Sequence, residues 1–145
     1  MYYIKMNILL ISMYSDKWDI KKQNKKFKKS FTNNAKLIIK RFHDKSGIKN
    51  ILDTGKIDGI IISGSDYFIL NKDSPRIPKF VFNYKIPILA ICYGLQNLTA
   101  KKNIGSFKCG MKKYTKKIKI SRPFKVKKLE YTFYHQDYLV NINKK

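Results

Sequence analysis

One short stretch, Ile86 to Gln96, constrains the fold more than any other part of the sequence. A run of aliphatic and small residues follows Pro87 and ends at Cys92, and Gly94 comes just after it. A short apolar run between Pro and Gly is typical of a fully buried strand in a parallel sheet. The residues from Gly94 to Lys102 have helical spacing. Cys92 is therefore predicted at the junction of a buried strand and a helix.

This position gives Cys92 two interpretations. The backbone N–H groups at the start of the helix would point toward its side chain and favour a thiolate. The turn that presents a nucleophilic serine at the edge of some α/β sheets works in the same way. The alternative is a small buried hydrophobic side chain, because free cysteine is among the most buried residue types. The strand–turn–helix pattern alone favours this alternative.

Other segments extend the pattern of strands and helices. Met6 to Met13 and Ile57 to Ser63 are apolar and predict two more strands. Phe31 to His43 carries apolar residues on one helical face and predicts an amphipathic helix. The Lys-rich segment from Tyr14 to Ser30 is expected to be a loop or a solvated helix. Apolar strands alternating with helices predict one α/β domain over residues 1–145, with a parallel sheet covered on both faces.

The last third of the sequence has a different pattern. Lys117 to Ser121 and Leu129 to His135 have the two-residue period of strands. We expect them to form an appended antiparallel ribbon. His135 to Val140 is expected to be a turn that leads into a last short segment.

Four motifs, in the same order along the chain, resemble those of class I glutamine amidotransferases. They are Asp58–Ser65, Ile91–Gln96, Lys112–Tyr114 and His135–Asp137. The first is similar to the family's strand and oxyanion loop, D-G-I-I-x-S-G-G, and the second to its nucleophile motif, I-C-x-G-x-Q. The last two are similar to the R-E-Y and S-H-G-D motifs of the GMP synthetase amidotransferases, which are the branch of the family that the sequence resembles most.

The resemblance implies a fold and a reaction. The fold is α/β and flavodoxin-like, a doubly wound and mostly parallel sheet. The reaction releases ammonia from glutamine: a cysteine thiolate attacks the side-chain amide, and water then cleaves the thioester. This chemistry needs a nucleophile, a base and donors for the oxyanion, and the resemblance implies no cofactor and no metal. The implied site residues are Cys92 as nucleophile, the backbone of Gly64, Ser65 and Tyr93 as oxyanion hole, and Gln96, Tyr134, His135, Gln136 and Asp137 as contacts to glutamine.

The sequence departs from the family pattern at three places. Ser65 stands where the family has a second Gly, and it would be strained if that position required a positive φ. Tyr134 and Gln136 replace the Ser and Gly of S-H-G-D, which would crowd the substrate loop. The family's catalytic His and its orienting Glu lie in an H-P-E motif, which this sequence does not contain. Its histidines are His43, on the predicted helix, and His135, whose family role is not that of the base.

These departures predict a C-terminally truncated amidotransferase domain that is impaired or inactive as a glutaminase. A cysteine without a base retains about a few per cent of thiolate at neutral pH, which permits only slow chemistry. One alternative is a non-catalytic pseudoenzyme that binds glutamine or docks a synthetase. The synthetase that would use the ammonia is expected to be a separate chain.

The net charge raises a second alternative, a Lys-rich protein that associates with nucleic acid. The formal charge is +23 at pH 7, and Arg occurs only at Arg41, Arg76 and Arg122. Arg is the usual residue for bidentate contacts to phosphate and guanine. The joint abundance of Lys, Asn and Ile along the whole chain favours the codon bias of an AT-rich genome instead. We expect weak, sequence-independent contact with nucleic acid that fades as salt rises.

Cysteine content and hydropathy indicate the cellular setting. Cys92 and Cys109 make no disulfide framework, and the sequence has no zinc-binding pattern. No apolar stretch is long enough for a transmembrane helix, so no membrane contact is expected. An intracellular, reducing and therefore cytoplasmic setting fits these features best.

Overall fold

The computed structural model describes residues 5–31, 35–101, 106–119 and 128–140. The elements are β1 (Met6–Ser12), α1 (Ile20–Lys29), β2 (Ala35–Arg41), α2 (Lys45–Asp53), β3 (Gly59–Ile62), a short 3₁₀ helix (Lys79–Asn83), β4 (Ile88–Ala90), α3 (Tyr93–Lys101), β5 (Ser106–Lys119) and β6 (Lys128–Val140). Among these residues, no helix combines the length and apolar character that crossing a bilayer requires.

The first four strands form one parallel sheet in the order β2-β1-β3-β4. The predicted strands over Met6–Met13, Ile57–Ser63 and Ile86–Ile91 are neighbours in it, and this prediction is confirmed. The order is that of flavodoxin-like doubly wound folds. From β1 the chain goes to one side for β2 and to the other for β3 and β4. Such folds bind ligands at the carboxyl ends of the strands where this direction reverses, here β1 and β3.

The core lies on one face of the two central strands. Alternate residues of β1 and β3 point into it and meet the apolar face of α2. The fully buried members of this cluster are Leu9, Ile11, Met13, Ile48, Leu52, Ile60, Ile62, Val81 and Tyr93. Each such side chain contributes about 1.5–3 kcal/mol on burial. The core therefore fixes β1 and β3 most firmly, and with them the loops that leave their carboxyl ends.

The edge strand β4 differs from the fully buried strand that was predicted. Its Ile88 and Ala90 pack against the core, but Leu89, on the other face, is 59% exposed. Leu89 is in register with Ile61 of β3, which is only 8% exposed. The burial prediction failed because a continuous apolar run does not tell a central strand from an edge strand.

The helix predicted over Phe31–His43 is wrong, because Ala35–Arg41 form β2. This strand pairs with β1 along its whole length, from Ala35 opposite Met6 to Arg41 opposite Ser12. The crossover helix between the two strands is instead α1, in the Lys-rich segment expected to be a loop or a solvated helix. The Asp19 carboxylate caps it by accepting from the Lys22 backbone N–H at 2.9 Å, and no α1 residue is buried. The segment forms a strand because it pairs with β1 along its whole length, although the spacing of its apolar residues also suits a helix.

The strands β5 and β6 pair antiparallel as the predicted ribbon, with an irregularity between Cys109 and Lys112. The turn expected after His135 is wrong, since pairing continues until Val140 stands opposite Ser106. Backbone hydrogen bonding to β5 thus keeps this segment extended. The residues expected to form a substrate loop, Tyr134 to Asp137, are part of β6.

Candidate active site

Cys92 lies between the end of β4 and the first residue of α3. Its φ is 50°, which makes it the one non-glycine residue with a positive φ in the part of the chain that the structure describes. This left-handed conformation costs about 1–2 kcal/mol for a residue with a Cβ. Its carbonyl accepts from the Gln96 backbone N–H at 3.0 Å, so the helix starts directly after the turn. The Cys92 side chain is exposed, which excludes the buried-hydrophobe interpretation.

The packing of Gly94 explains why the chain turns so sharply here. A Cβ at Gly94 would lie 2.6 Å from the Ile62 carbonyl oxygen and 2.8 Å from Ile62 Cγ2. The Gly94 N–H donates to the Ile91 carbonyl at 2.9 Å, and the Ile91 N–H donates to the Ile62 carbonyl at 2.9 Å. The first turn of α3 therefore rests directly on the end of β3. This contact holds Cys92 in its strained conformation at the sheet edge.

Tyr93 and Asn97 fix the helix that follows the thiol. The Tyr93 side chain is 1% exposed, and its hydroxyl donates to the Pro75 carbonyl at 2.7 Å. Burial raises the pKa of Tyr93, so its phenol stays neutral. The Asn97 Oδ1 accepts from the Ile77 N–H at 3.1 Å, and its Nδ2 donates to the Tyr93 carbonyl at 3.2 Å. These contacts on the buried side of α3 thus hold the backbone next to Cys92 in place.

The loop after β3 is in contact with Cys92. A Cβ at Gly64 would lie 3.4 Å from the Cys92 Cβ. The Ser65 hydroxyl donates to the Met13 carbonyl at 2.7 Å and accepts from the Tyr67 N–H at 3.2 Å. Ser65 does not have a positive φ, so the strain considered for this position does not arise. The backbone hydrogen bonds of the described loops include none donated by the Gly64 N–H. Tyr93 is the first residue of α3, and the N–H groups of the first turn of a helix have no acceptor within the helix.

Two side chains of the loop after β1, Tyr14 and Ser15, also lie at this carboxyl edge of the sheet. Ser15 donates to the Asp66 carboxylate from its backbone N–H at 3.1 Å and from its hydroxyl at 2.5 Å. Burial alone would raise the pKa of Asp66, but the Ser15 hydrogen bonds bring that pKa below its usual value. Burial, and then the electrostatic interaction with Cys92, raise the pKa of Tyr14. The loops after β1, β3 and β4 therefore meet around one thiol.

The structure brings only part of the predicted site together. Gly64, Ser65, Cys92 and Tyr93 meet at one sheet edge, and Gln96 lies one turn further into α3. The side chains of Tyr134, His135, Gln136 and Asp137 fall outside the described ones. Residues that sequence analysis missed are Tyr14, Ser15, Asp66 and Asn97; the one signal for them was the position of the first three just after apolar strands.

His43 follows β2 at the same edge of the sheet, but β2 is three strands from β4. At about 4.8 Å per strand, this separates His43 from Cys92 by about 14 Å, far beyond hydrogen-bond reach. The described side chains include no group of three or more His, Cys, Asp or Glu that could hold a metal ion.

Comparison with known protein families shows which family the chain belongs to. A family model described as "Glutamine amidotransferase class-I" matches residues 18–144. The chain belongs to this family. The match includes the strand–turn–helix around Cys92, the Gly64–Ser65 loop and the ribbon of β5 and β6. The family resemblance read from the four sequence motifs is therefore confirmed.

Curated relatives identify the branch that this amidotransferase-family chain resembles. It is 56% identical over 39 residues to the GMP synthase (glutamine-hydrolyzing) of Blochmanniella pennsylvanica, a stretch covering 27% of this chain and 7% of that protein. It is 31% identical over 86 residues to the protein of the same name from Thermotoga sp. strain RQ2, covering 55% of this chain and 17% of that protein. The chain thus spans less than a fifth of the length of these relatives.

Proposed function

We propose that this amidotransferase-family chain binds glutamine at the carboxyl edge of its sheet and attacks the side-chain amide with Cys92, with little or no turnover. The observation that carries the proposal is the left-handed backbone of Cys92, which presents an exposed thiol at the start of α3. The N–H groups of Gly64, in the loop that contacts Cys92, and of Tyr93, at the start of α3, are the donors that we infer for the oxyanion. A nucleophile beside oriented backbone donors is suited to acyl transfer.

The proposed step begins with attack of the Cys92 thiolate on the amide carbon of glutamine. The carbonyl oxygen becomes an oxyanion, which the two N–H groups would stabilise. The intermediate then collapses to a thioester, and the amide nitrogen takes up a proton and leaves as ammonia. Water finally adds its hydroxyl to the acyl carbon, releases glutamate and returns a proton to the sulfur.

We infer that the proton transfers in these steps are slow. Expulsion of ammonia and attack by water both need a group that gives or takes a proton. The 145-residue sequence contains no His-Pro-Glu motif, and His43, the histidine whose side chain the structure describes, stands three strands away from Cys92. General acid–base catalysis is worth roughly 10²–10⁴-fold. We therefore infer that Cys92 forms the thioester slowly and turns over even more slowly.

Competitive labelling with iodoacetamide tests whether Cys92 belongs to a glutamine site. We expect Cys92 to react about two- to five-fold faster than Cys109, because a helix N-terminus stabilises a thiolate by about 0.3–1 kcal/mol. We also expect saturating glutamine to slow the labelling of Cys92 and to leave that of Cys109 unchanged. Asparagine, one methylene shorter, is the matched control ligand. Equal protection of both thiols by glutamine, or none, would argue against a glutamine site at Cys92.

A second candidate function is docking of a synthetase that uses the ammonia. Three large apolar side chains within three residues of Cys92 in the sequence are exposed: Leu89 is 59% exposed, Ile91 39% and Leu95 47%. Together with the edge of β4, which has no partner strand among the described residues, they form what we call the β4 patch. Exposed apolar patches beside an unpaired strand are typical of protein interfaces. The curated relatives are GMP synthases of much greater length, so the synthetase part of such a protein is the occupant we infer.

The docking function is tested with the Thermotoga GMP synthase from which its own amidotransferase-family domain has been deleted. We expect this protein to form a complex with the chain in analytical ultracentrifugation, and Leu89→Lys to weaken it at least about tenfold, since a buried unpaired charge is costly. Met6→Lys is the matched control, because Met6 is 48% exposed but lies at the amino end of β1, two strands away from β4. Absence of a complex, or equal weakening by both variants, would rule out this partner.

A further inference from the structure

A cleft separate from the Cys92 site lies between α3 and the segment that precedes β4. Its volume is about 320 Å³, and its lining residues are Arg76, Ile77, Lys79, Phe82, Asn97 and Ala100. This volume is at the lower end of the range of small-molecule pockets, about 300–1,000 Å³. Neither Cys92 nor the Gly64 loop contributes to the lining. The cleft therefore offers a second place where a ligand could bind.

The lining combines an apolar surface with two cations. Ile77 is 5% exposed, and Phe82 and Ala100 pack against the core. Arg76 and Lys79 supply positive charge, and the described residues place no Asp or Glu in the lining to neutralise it. A carboxylate at this position would have two charged donors, which give hydrogen bonds about twice as strong as neutral ones. Both cations are exposed, so they lie where a carboxylate arriving from solvent can reach them.

The cleft is held in shape before any ligand binds. The Arg76 Nη2 donates to the Ile69 carbonyl at 2.6 Å, which orients the guanidinium and leaves its other N–H groups for a ligand. The Asn97 Oδ1 accepts from the Ile77 N–H at 3.1 Å and ties the wall of the cleft to α3. A site that needs little ordering on binding retains more of its interaction energy as affinity.

We propose that this cleft binds a small organic anion, a carboxylate carried on an aromatic or branched apolar body. The carboxylate contacts Arg76 and Lys79, and the apolar body lies against Ile77, Phe82 and Ala100. The proposal is independent of glutamine chemistry at Cys92, because neither Cys92 nor the Gly64–Ser65 loop lines the cleft. Asn97 is common to both regions, where it holds α3 in place.

Titration calorimetry with three probes separates this site from general attraction to a basic protein. Benzoate has both the charge and the apolar ring, benzamide has the ring without the charge, and acetate has the charge without the ring. We expect benzoate to bind at least about tenfold more tightly than either of the others, because the cations and the apolar wall both contribute. A net charge of +23 acting alone would attract acetate and benzoate equally.

Single substitutions then locate the site. Lys79→Gln and Arg76→Gln are each expected to weaken benzoate at least about fivefold by removing a charged donor. Lys72→Gln, which removes an exposed lysine that does not line the cleft, should leave the affinity unchanged. Lys79→Gln is the deciding variant, because Arg76 also holds the Ile69 carbonyl and its loss can destabilise the fold. The proposal is overturned if acetate binds as tightly as benzoate, if Lys72→Gln weakens benzoate as much as Lys79→Gln does, or if benzoate does not bind.

Discussion

Replacing Gly94 with alanine is expected to lower the free energy of unfolding by about 2–3 kcal/mol, the usual cost of forcing atoms into a packed site. The new Cβ would stand 2.6 Å from the Ile62 carbonyl oxygen, which is backbone in the centre of the sheet and cannot rotate away. Relief requires α3 to move off the end of β3. That movement would also release the backbone of Cys92 from its φ of 50°. The measurement is the midpoint of unfolding in urea, with Cys92 labelling as a second readout.

Gly55→Ala is the matched control for this prediction. Gly55 has a φ of +65°, and no described atom lies within 4 Å of the place that a Cβ would occupy, so alanine there meets strain without a clash. We expect a loss of about 1–2 kcal/mol, the cost of the left-handed conformation alone, and unchanged labelling of Cys92. If Gly94→Ala were no more destabilising than Gly55→Ala, the close packing of α3 on β3 would not be what positions the thiol.

The sequence predicted the elements whose apolar pattern has a single interpretation. The runs in β1, β3 and β4 fit a buried parallel sheet, and the turn at Cys92 follows from the glycine that must pass close to β3. The sequence predicted a helix in place of β2 because its apolar residues fit the period of a helix as well as that of a strand. The three adjacent residues Leu37, Ile38 and Ile39 suit a strand, but the pairing with β1 that decides the matter is a long-range contact. Local patterns do not contain that information.

The site was predictable to a smaller extent than the fold. The motif around Cys92 predicted the turn between β4 and α3 that carries this thiol, because these residues are adjacent in sequence. The hydrogen bonds that join the loops were not predictable, since Ser15 and Asp66, or Ser65 and Met13, meet only after the sheet has formed. The same holds for Asn97, whose side chain connects α3 to Ile77.

The second large effect is expected in the rate of glutamine hydrolysis. Enzymes typically turn over at about 10 per second, and loss of general acid–base catalysis lowers a rate roughly 10²–10⁴-fold. The 145-residue chain should therefore release ammonia from glutamine at about 10⁻³ to 10⁻¹ per second or below. The rate should still depend on the thiol, because the exposed Cys92 side chain is the group that we propose as the nucleophile. The aligned N–H groups beside it would support the attack but cannot move protons.

The most direct test is ammonia release from glutamine by the purified chain, compared with Cys92→Ala. We predict slow release by the wild type and none above background by the variant. Release at an ordinary enzymatic rate that Cys92→Ala abolishes would contradict the inferred impairment, and His135→Ala would then be the first variant to examine for an unexpected base. Equal release by the wild type and Cys92→Ala would contradict the central claim that Cys92 is the nucleophile of a glutamine site.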